Sequence, residues 1–447
     1  MLEKIRQIAD AIINKIIAYQ RDFHRFAETG WGEIRTASLI ARHLVEMGYE
    51  LEIGREVIDP ESRMGLPSRD DLEKQYHRAI KQGADPEFSG QLRDGFTGIV
   101  TQLVNGKGPI IGLRFDMDAL GLQEARERKH RPYREGYASV NDGVMHACGH
   151  DGHAAAGMGI AEILMQMKDQ VRGTVRFIFQ PAEEGVRGAK AMVKAGILDD
   201  LDYLVGHHVL SSMKCGEIAS GMSGYAATSK FDVVIRGKPA HAGGNPQSGN
   251  NALLAAANAV LNLYAISRHS NGATRLNVGK LNAGTARNVI CPLAVLEIET
   301  RGANNELNQY MYKKAENIIK NSVRMYNCEY RIKFMGEAPT ADSDPALMEL
   351  VETCGREIGN LTCRRIHRAG GSEDFTYMMK RVQENDGLAV NIGIGAALQS
   401  SDQDNGQELN IPLAAHTSNF DFDEKAIHTA MILVTSLIFK IMDRERK

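Results

Sequence analysis

Three histidines, a cysteine and an aspartate fall within nine residues of this chain, MHACGHDGH from Met145 to His153. Cys148 and His150 stand two apart just before a helical stretch, so a turning backbone can aim both at one point. A thiolate and an imidazole are good ligands for zinc or a neighbouring transition metal. Read alone, the sequence does not exclude a competing role for Cys148, as a nucleophile served by a histidine base. A Cys-x-His pair by itself is more often a packed cysteine and a helix-start histidine, so the weight falls on the rest of the chain.

The segment PAEEG follows the apolar run VRFIF and sets Glu183 beside Glu184. Adjacent side chains diverge at a strand end, which lets one bind a metal while the other faces a reacting water. Such pairs are usually solvated loop edges, yet carboxylates at the mouth of a buried strand need a cationic partner. His208 ends YLVGHH in the same position relative to its strand, whereas alternation sends His207 to the other face. His416, in AAHTSNFDFDE, precedes what reads as a loop and a helix start. Three histidines, one thiol and one carboxylate are enough to hold two metal ions sharing a water, and such sites hydrolyse. His241 stands in the Gly-rich GKPAHAGGNPQSG, where an exposed turn histidine is an equally good reading.

Elements must position these groups. GPIIGLRFDMDAL (108–120), GTVRFIFQPAEEG (173–185) and LDYLVGHHVL (201–210) read as strands, with helical patterns such as HAAAGMGIAEILMQMK between them. That alternation predicts an α/β fold with a mostly parallel central sheet flanked by helices. Reactive groups gather at the carboxyl ends of such strands, which puts Asp116, Asp118, Glu183, Glu184, His207 and His208 at one rim. From about Gly224 the order becomes βαββαβ, ending at CEYRIKFMG, which predicts a small inserted α+β layer. The expected organisation is a catalytic domain of residues 1–222 and 337–447, with an inserted domain of 223–336. Residues 54–95 are polar and read as a surface insertion.

Lys and Arg total 53 against 56 Asp and Glu, a net charge of −3 across 447 residues. No global field attracts nucleic acid or an anionic membrane. The N-terminus is amphipathic and lacks a signal-peptide core, and no apolar run approaches the roughly 18 residues of a membrane span. Six cysteines without paired spacing argue for a reducing compartment, the cytoplasm.

MHACGHDGH, FQPAEEG, HHV, PAHAG, RNVICP, GGSEDF and HTSNFDFDE occur in one order along nearly the whole chain. In that order and spacing the chain resembles the dinuclear-metal amidohydrolases related to aminoacylase and glutamate carboxypeptidase. The resemblance implies that Cys148, His150, Glu184, His208 and His416 ligate two divalent ions, Mn²⁺ favoured and Zn²⁺ possible, and that Glu183 is the general base and acid. It implies a zinc-peptidase-like catalytic domain with a ferredoxin-like lid and dimerisation domain. His241 falls where the family carries a lid histidine that stabilises the oxyanion, often that of a neighbouring protomer, and Asn288 falls in a substrate-contacting lid motif. Arg287 and Arg301 are expected, on charge, to hold a carboxylate. RFDMD departs from the His-x-Asp motif of peptidase relatives: Arg114 cannot bind a cation, so the CGH segment supplies the ligands and Asp116 and Asp118 become orienting groups. The implied reaction is hydrolysis of an amide between an aromatic acyl group and an amino acid, p-aminobenzoyl-glutamate first, with other N-acyl amino acids or dipeptides as the alternative. A homodimer through the lid or a hetero-oligomer with a second, related chain is expected, and a mainly structural role beside a related catalytic chain is the alternative of another class.

Overall fold

The structure, a computed structural model, describes residues 1–367, 371–401, 408–411 and 413–444; Gly370 of the GGSEDF motif lies outside them. In chain order the first elements are α1 (Leu2–Arg25), α2 (Ile34–Glu46), β1 (Leu51–Ile53), α3 (Arg69–Lys81), β2 (Ile99–Asn105), β3 (Ile110–Asp116), α4 (Arg131–Glu135), α5 (His150–Gln166), β4 (Gly173–Gln180), α6 (Ala189–Lys194), β5 (Tyr203–Lys214) and β6 (Glu217–Ser223). There follow β7 (Ala227–Arg236), α7 (Ala252–Tyr264), β8 (Thr274–Ala283), β9 (Leu293–Gly302), α8 (Asn305–Met325) and β10 (Glu329–Ala338). The chain ends with α9 (Pro345–Ile358), β11 (Thr362–His367), α10 (Phe375–Glu384), β12 (Leu388–Ser401), β13 (Glu408–Ile411) and α11 (Lys425–Arg444).

The larger sheet runs β1-β2-β4-β3-β5-β12-β6-β11, with β13 on β12. Its centre, β4-β3-β5-β12, is parallel, as the continuous apolar runs require of strands covered on both faces. The flanks are mixed: β1–β2, β2–β4, β12–β6 and β12–β13 are antiparallel, while β11 runs parallel to β6. Apolar residues of α1 at helical spacing, Ile5, Ile8, Ile12, Ile16 and Phe23, are buried on the side facing α5 and α11. Each such side chain contributes ~1.5–3 kcal/mol by leaving water.

Two expectations change. Residues 54–95 are not merely a surface insertion, because Val57, Ile58, Leu72, Ala79, Phe88 and Leu92 are buried in the same cores as the sheet strands. The polar composition hid an apolar minority spaced to one side. And α11 is long and apolar enough by composition to cross a membrane, although no such run was expected; 72% of that window is buried inside the protein. Its apolar residues face α1, α5 and α9.

Residues of β7, β8, β9 and β10 form a separate antiparallel sheet in the order β10-β7-β9-β8. Helices α7 and α8 cover it, burying Phe231, Val233, Leu296, Met311 and Ile319. Asn251 and Asn304 start these helices by accepting the free N–H groups of their first turns.

Candidate metal centre

Parallel strands β3, β4 and β5 deliver side chains to one edge. Asp116 ends β3, Glu183 and Glu184 follow β4, and His208 lies in β5 two residues past its last pairing with β3, at Gly206. β5 itself continues to Lys214, so His208 is not at the strand's end as its sequence position suggested, but at the point where its neighbour stops. The CGH turn arrives through Gly149, at φ 93°, where an added Cβ would come 2.2 Å from Val209 Cγ2. Only glycine fits that left-handed, crowded position.

The five expected donors converge. Ligand atoms of Cys148, His150 and His208 lie within 4.8 Å of one another, and so do those of Cys148, Glu184 and His416. His150, Glu183 and Glu184 form a third such group, so both glutamates border the cluster. Cys148 Sγ is 3.4 Å from His208 Nε2, and His416 Nε2 is 3.4 Å from Glu184 Oε1.

Hydrogen bonds outside the cluster fix which ring nitrogen faces in. His150 Nδ1 donates to the Asp118 carbonyl at 2.9 Å, and His208 Nδ1 to that of Val209 at 2.6 Å. Each ring thereby turns its Nε2 inward, the nitrogen that a metal would take. His150 Nε2 is buried without any hydrogen-bond partner, and buried Glu184 Oε1 has His416 Nε2 only at 3.4 Å. Buried polar atoms so short of partners are costly unless a cation sits among them.

The electrostatics agree. Burial opposes charge on His150, yet Asp116, the Cys148 thiolate and Asp118 carry its imidazole well above the usual histidine range. Burial also opposes the Cys148 thiolate, but His208 and His150 hold the thiol down at about 6. Hydrogen bonds to Cys148 and Glu184 push the imidazole of His416, an exposed residue, up to about 10 against partial desolvation. A pocket that pulls protons onto its imidazoles and off its thiol is one that a metal cation satisfies. The donor set, a thiolate, three imidazoles and a carboxylate, fits divalent metal.

Glu183 borders this cluster without being needed as a donor. Burial, with Glu373, Glu184 and Asp374 nearby, lifts its carboxyl well above the usual carboxylate range. The peptide N–H groups of Glu183 and Glu184 both donate to Asp118, at 2.9 and 3.0 Å. Asp116 accepts from His153 Nδ1 at 2.6 Å and lies 3.7 Å from His150 Nε2, and His153 Nε2 accepts the N–H of Val209 at 2.9 Å, bracing β5. His207 packs on Phe115 and His153, away from the donors.

Arg114 is buried beneath the site. It binds Asp116 at 2.6 Å, Glu373 at 3.1 Å and Asp374 at 3.2 Å. The GGSEDF motif stood out in the sequence without a task for Glu373 and Asp374; an amphipathic helix preceded by two adjacent acids was the available signal. Glu33, which accepts the N–H of Ala182 at 2.8 Å and so pins the PAEEG turn, carries no local motif that would mark it in the sequence.

The remaining expected site residues lie on the second sheet unit. His241 and Val289 form a β-bridge, and the Ala242 N–H donates to the Asn288 carbonyl at 2.9 Å, which gathers His241, Arg287 and Asn288 at one exposed end. Among the described residues the His241 side chain bonds only within its own loop and belongs to no group with the donors of its own chain. Its Nδ1 accepts the N–H groups of Gly243 and Gly244 at 3.2 and 2.9 Å, which leaves the proton on Nε2. Arg301, on β9, is half-buried and ion-paired to Glu299.

Comparison with known proteins follows the same lines. The model of peptidase family M20/M25/M40 matches residues 112–437. The chain is 42% identical to one of the named subunits of p-aminobenzoyl-glutamate hydrolase from Escherichia coli (strain K12) over 433 residues, 96% of each chain. It is 43% identical to the indole-3-acetyl-aspartic acid hydrolase of Enterobacter agglomerans over 442 residues, 98% of each. Among solved structures it is similar to an aminobenzoyl-glutamate utilization protein from Klebsiella pneumoniae, with TM-score 0.82, 36% identity and 97% of each chain covered.

Proposed function

Because this chain belongs to peptidase family M20/M25/M40, we propose that it is a metal-dependent amidohydrolase that splits the amide between an aromatic acid and an acidic amino acid, with p-aminobenzoyl-glutamate as its substrate. One observation carries the reading: Cys148 belongs to two donor groups at once, with His150 and His208 on one side and Glu184 and His416 on the other, and Glu183 stands beside them. Two divalent cations held by these five residues would supply Lewis acidity toward the substrate carbonyl and an acidified water near neutral pH. Mn²⁺ is the ion we assign, and Zn²⁺ is the alternative that a thiolate with imidazoles suits.

Glu183 takes the proton of the attacking water and returns it to the leaving amine nitrogen. His241 donates Nε2–H to the oxyanion, once residues 223–336 close as a lid and exclude water. Arg287 and Asn288, gathered beside it, are assigned to the substrate, and Arg301 would have to leave Glu299 to join them. We assign His241 to a neighbouring protomer's site in a lid-to-lid homodimer or in a hetero-oligomer with a second, related chain, since the Escherichia coli relative is named as one subunit of its enzyme. The complete base and donor set speaks against a merely structural partner. The described cysteines are all free, which supports a cytoplasmic location.

A second reading of the acyl group is favoured by the indole-3-acetyl-aspartic acid hydrolase, an equally similar relative. Turnover of p-aminobenzoyl-glutamate, indole-3-acetyl-aspartate and N-acetyl-methionine by one preparation, alone and with the second chain of the hetero-oligomer, tests both. The aromatic, acidic amides should lead by at least about tenfold in kcat/KM; a preference for the neutral acetyl amide would overturn the substrate class.

A further inference from the structure

Arg187 follows Glu184 by three residues, and its backbone N–H closes the turn that carries both glutamates by donating to the Ala182 carbonyl at 3.2 Å. Its Nε donates to the main-chain carbonyl of Glu184 at 2.7 Å and an Nη to that of Gly65 at 3.3 Å. The side chain is half-buried, and among the described residues no carboxylate pairs with it. That sets it apart from Arg114, Arg131 and Arg176, each of which meets an aspartate at 2.6 Å or less.

Three glycines make room for it. An added Cβ would come 2.4 Å from Arg187 Nη2 at Gly30, 2.6 Å from Cδ at Gly65 and 3.2 Å from Nε at Gly185. Gly65 also abuts the Met335 carbonyl, and the Glu337 N–H donates to the Val186 carbonyl at 3.0 Å, so the exit of β10 packs on the same turn. The guanidinium is therefore held between the donor loop, the 54–95 segment and the strand leading out of the second sheet. A half-dehydrated guanidinium bonded only to neutral carbonyls keeps its full charge and part of its planar fork for an anion.

We infer that Arg187 is a specificity-determining residue that binds the side-chain carboxylate of the substrate's amino-acid half. This rests on the amidohydrolase reading above and narrows it to amides of aspartate and glutamate. The α-carboxylate falls to the residues of the second sheet unit, so a dicarboxylic leaving group would be read by two separate cations.

Binding, not turnover, separates this from the hydrolase reading. Metal-loaded protein carrying Glu183→Gln, which keeps substrate intact, is titrated calorimetrically with p-aminobenzoyl-glutamate and p-aminobenzoyl-glutamine, with Arg187 present, as Arg187→Met and as Arg187→Lys. Arg187→Met should weaken the glutamate amide about 10- to 100-fold and leave the glutamine amide within about twofold. Arg187→Lys should keep part of the preference, and the glutamine amide serves as the control for folding. Equal weakening of both amides, no weakening of either, or no preference for glutamate with Arg187 in place would overturn the proposal. Failure of the protein with native Glu183 to hydrolyse any amide, with that binding preference standing, would overturn the hydrolase reading alone.

Discussion

Asp118 Oδ1 accepts the peptide N–H of Glu183 at 2.9 Å. Its second oxygen takes the N–H of Glu184 at 3.0 Å, and its main-chain carbonyl takes His150 Nδ1–H at 2.9 Å. A single residue just past β3 thus orients the proposed base, a donor carboxylate and a donor imidazole. It is a positioning residue, acting through groups that do the chemistry.

Asp118→Asn keeps the shape but can turn an NH₂ group against one of two N–H donors. Metal affinity and kcat/KM should each fall about 10- to 100-fold, with the far-ultraviolet circular dichroism unchanged. Unchanged metal affinity would remove Asp118 from this role.

Glu183→Gln removes the proton acceptor and leaves the five donors in place. The purified variant should retain its metal, measured by atomic emission, while kcat falls by about 10²- to 10⁴-fold. A variant with native kcat would show that the proton goes elsewhere.

Loss of the His241 donor should act on kcat rather than KM. We expect His241→Ala to lower kcat about 10²- to 10³-fold. Because His241 meets no donor of its own chain among the described residues, exchange of protomers between this variant and Glu183→Gln should regenerate activity from two inactive proteins. Exchange without recovery would return His241 to its own chain's site.

His24 gives a pH dependence with a definite sign. Its Nδ1 is 2.9 Å from Asp151 and its Nε2 3.1 Å from Glu124, so only the doubly protonated ring satisfies both. Burial opposes the charge, but hydrogen bonds to these two carboxylates raise the imidazole to about 10. A group with a raised folded value stabilises fully below its unfolded value near 6.5 and loses that contribution as pH climbs toward 10. Chemical denaturation should show stability falling over that window. His24→Gln should be less stable at pH 7, by about 3 kcal/mol or more, and should lack that part of the decline. Parallel pH profiles would contradict the pairing.

What sequence alone carried was the local part of this design. Apolar runs ending in Asp116, Glu183 and His208 read as buried strands because covered parallel strands have no polar face to interrupt them. The βαββαβ order was readable in the same way from period-2 and period-3.6 patterns. What was missed is held by contacts without local signature. Arg114 meets Glu373 across 259 residues, and Glu33 meets Ala182 across 149. The buried residues of 54–95 were outnumbered by polar ones, and α11 owes its apolar length to a core that packs it on several sides. Arg187 carries no local signal in the sequence; it stands out only because, among the described residues, no acid pairs with it.

The central claim is that Cys148, His150, Glu184, His208 and His416 hold cations that the hydrolysis requires. Metal content and p-aminobenzoyl-glutamate turnover, measured on one preparation before chelation, after it and after Mn²⁺ is restored, test it most directly. About two divalent ions per chain should be found, lost together with activity and regained with it. Turnover that survives complete removal of metal but vanishes on alkylation of Cys148 would contradict the account and make the thiolate a nucleophile.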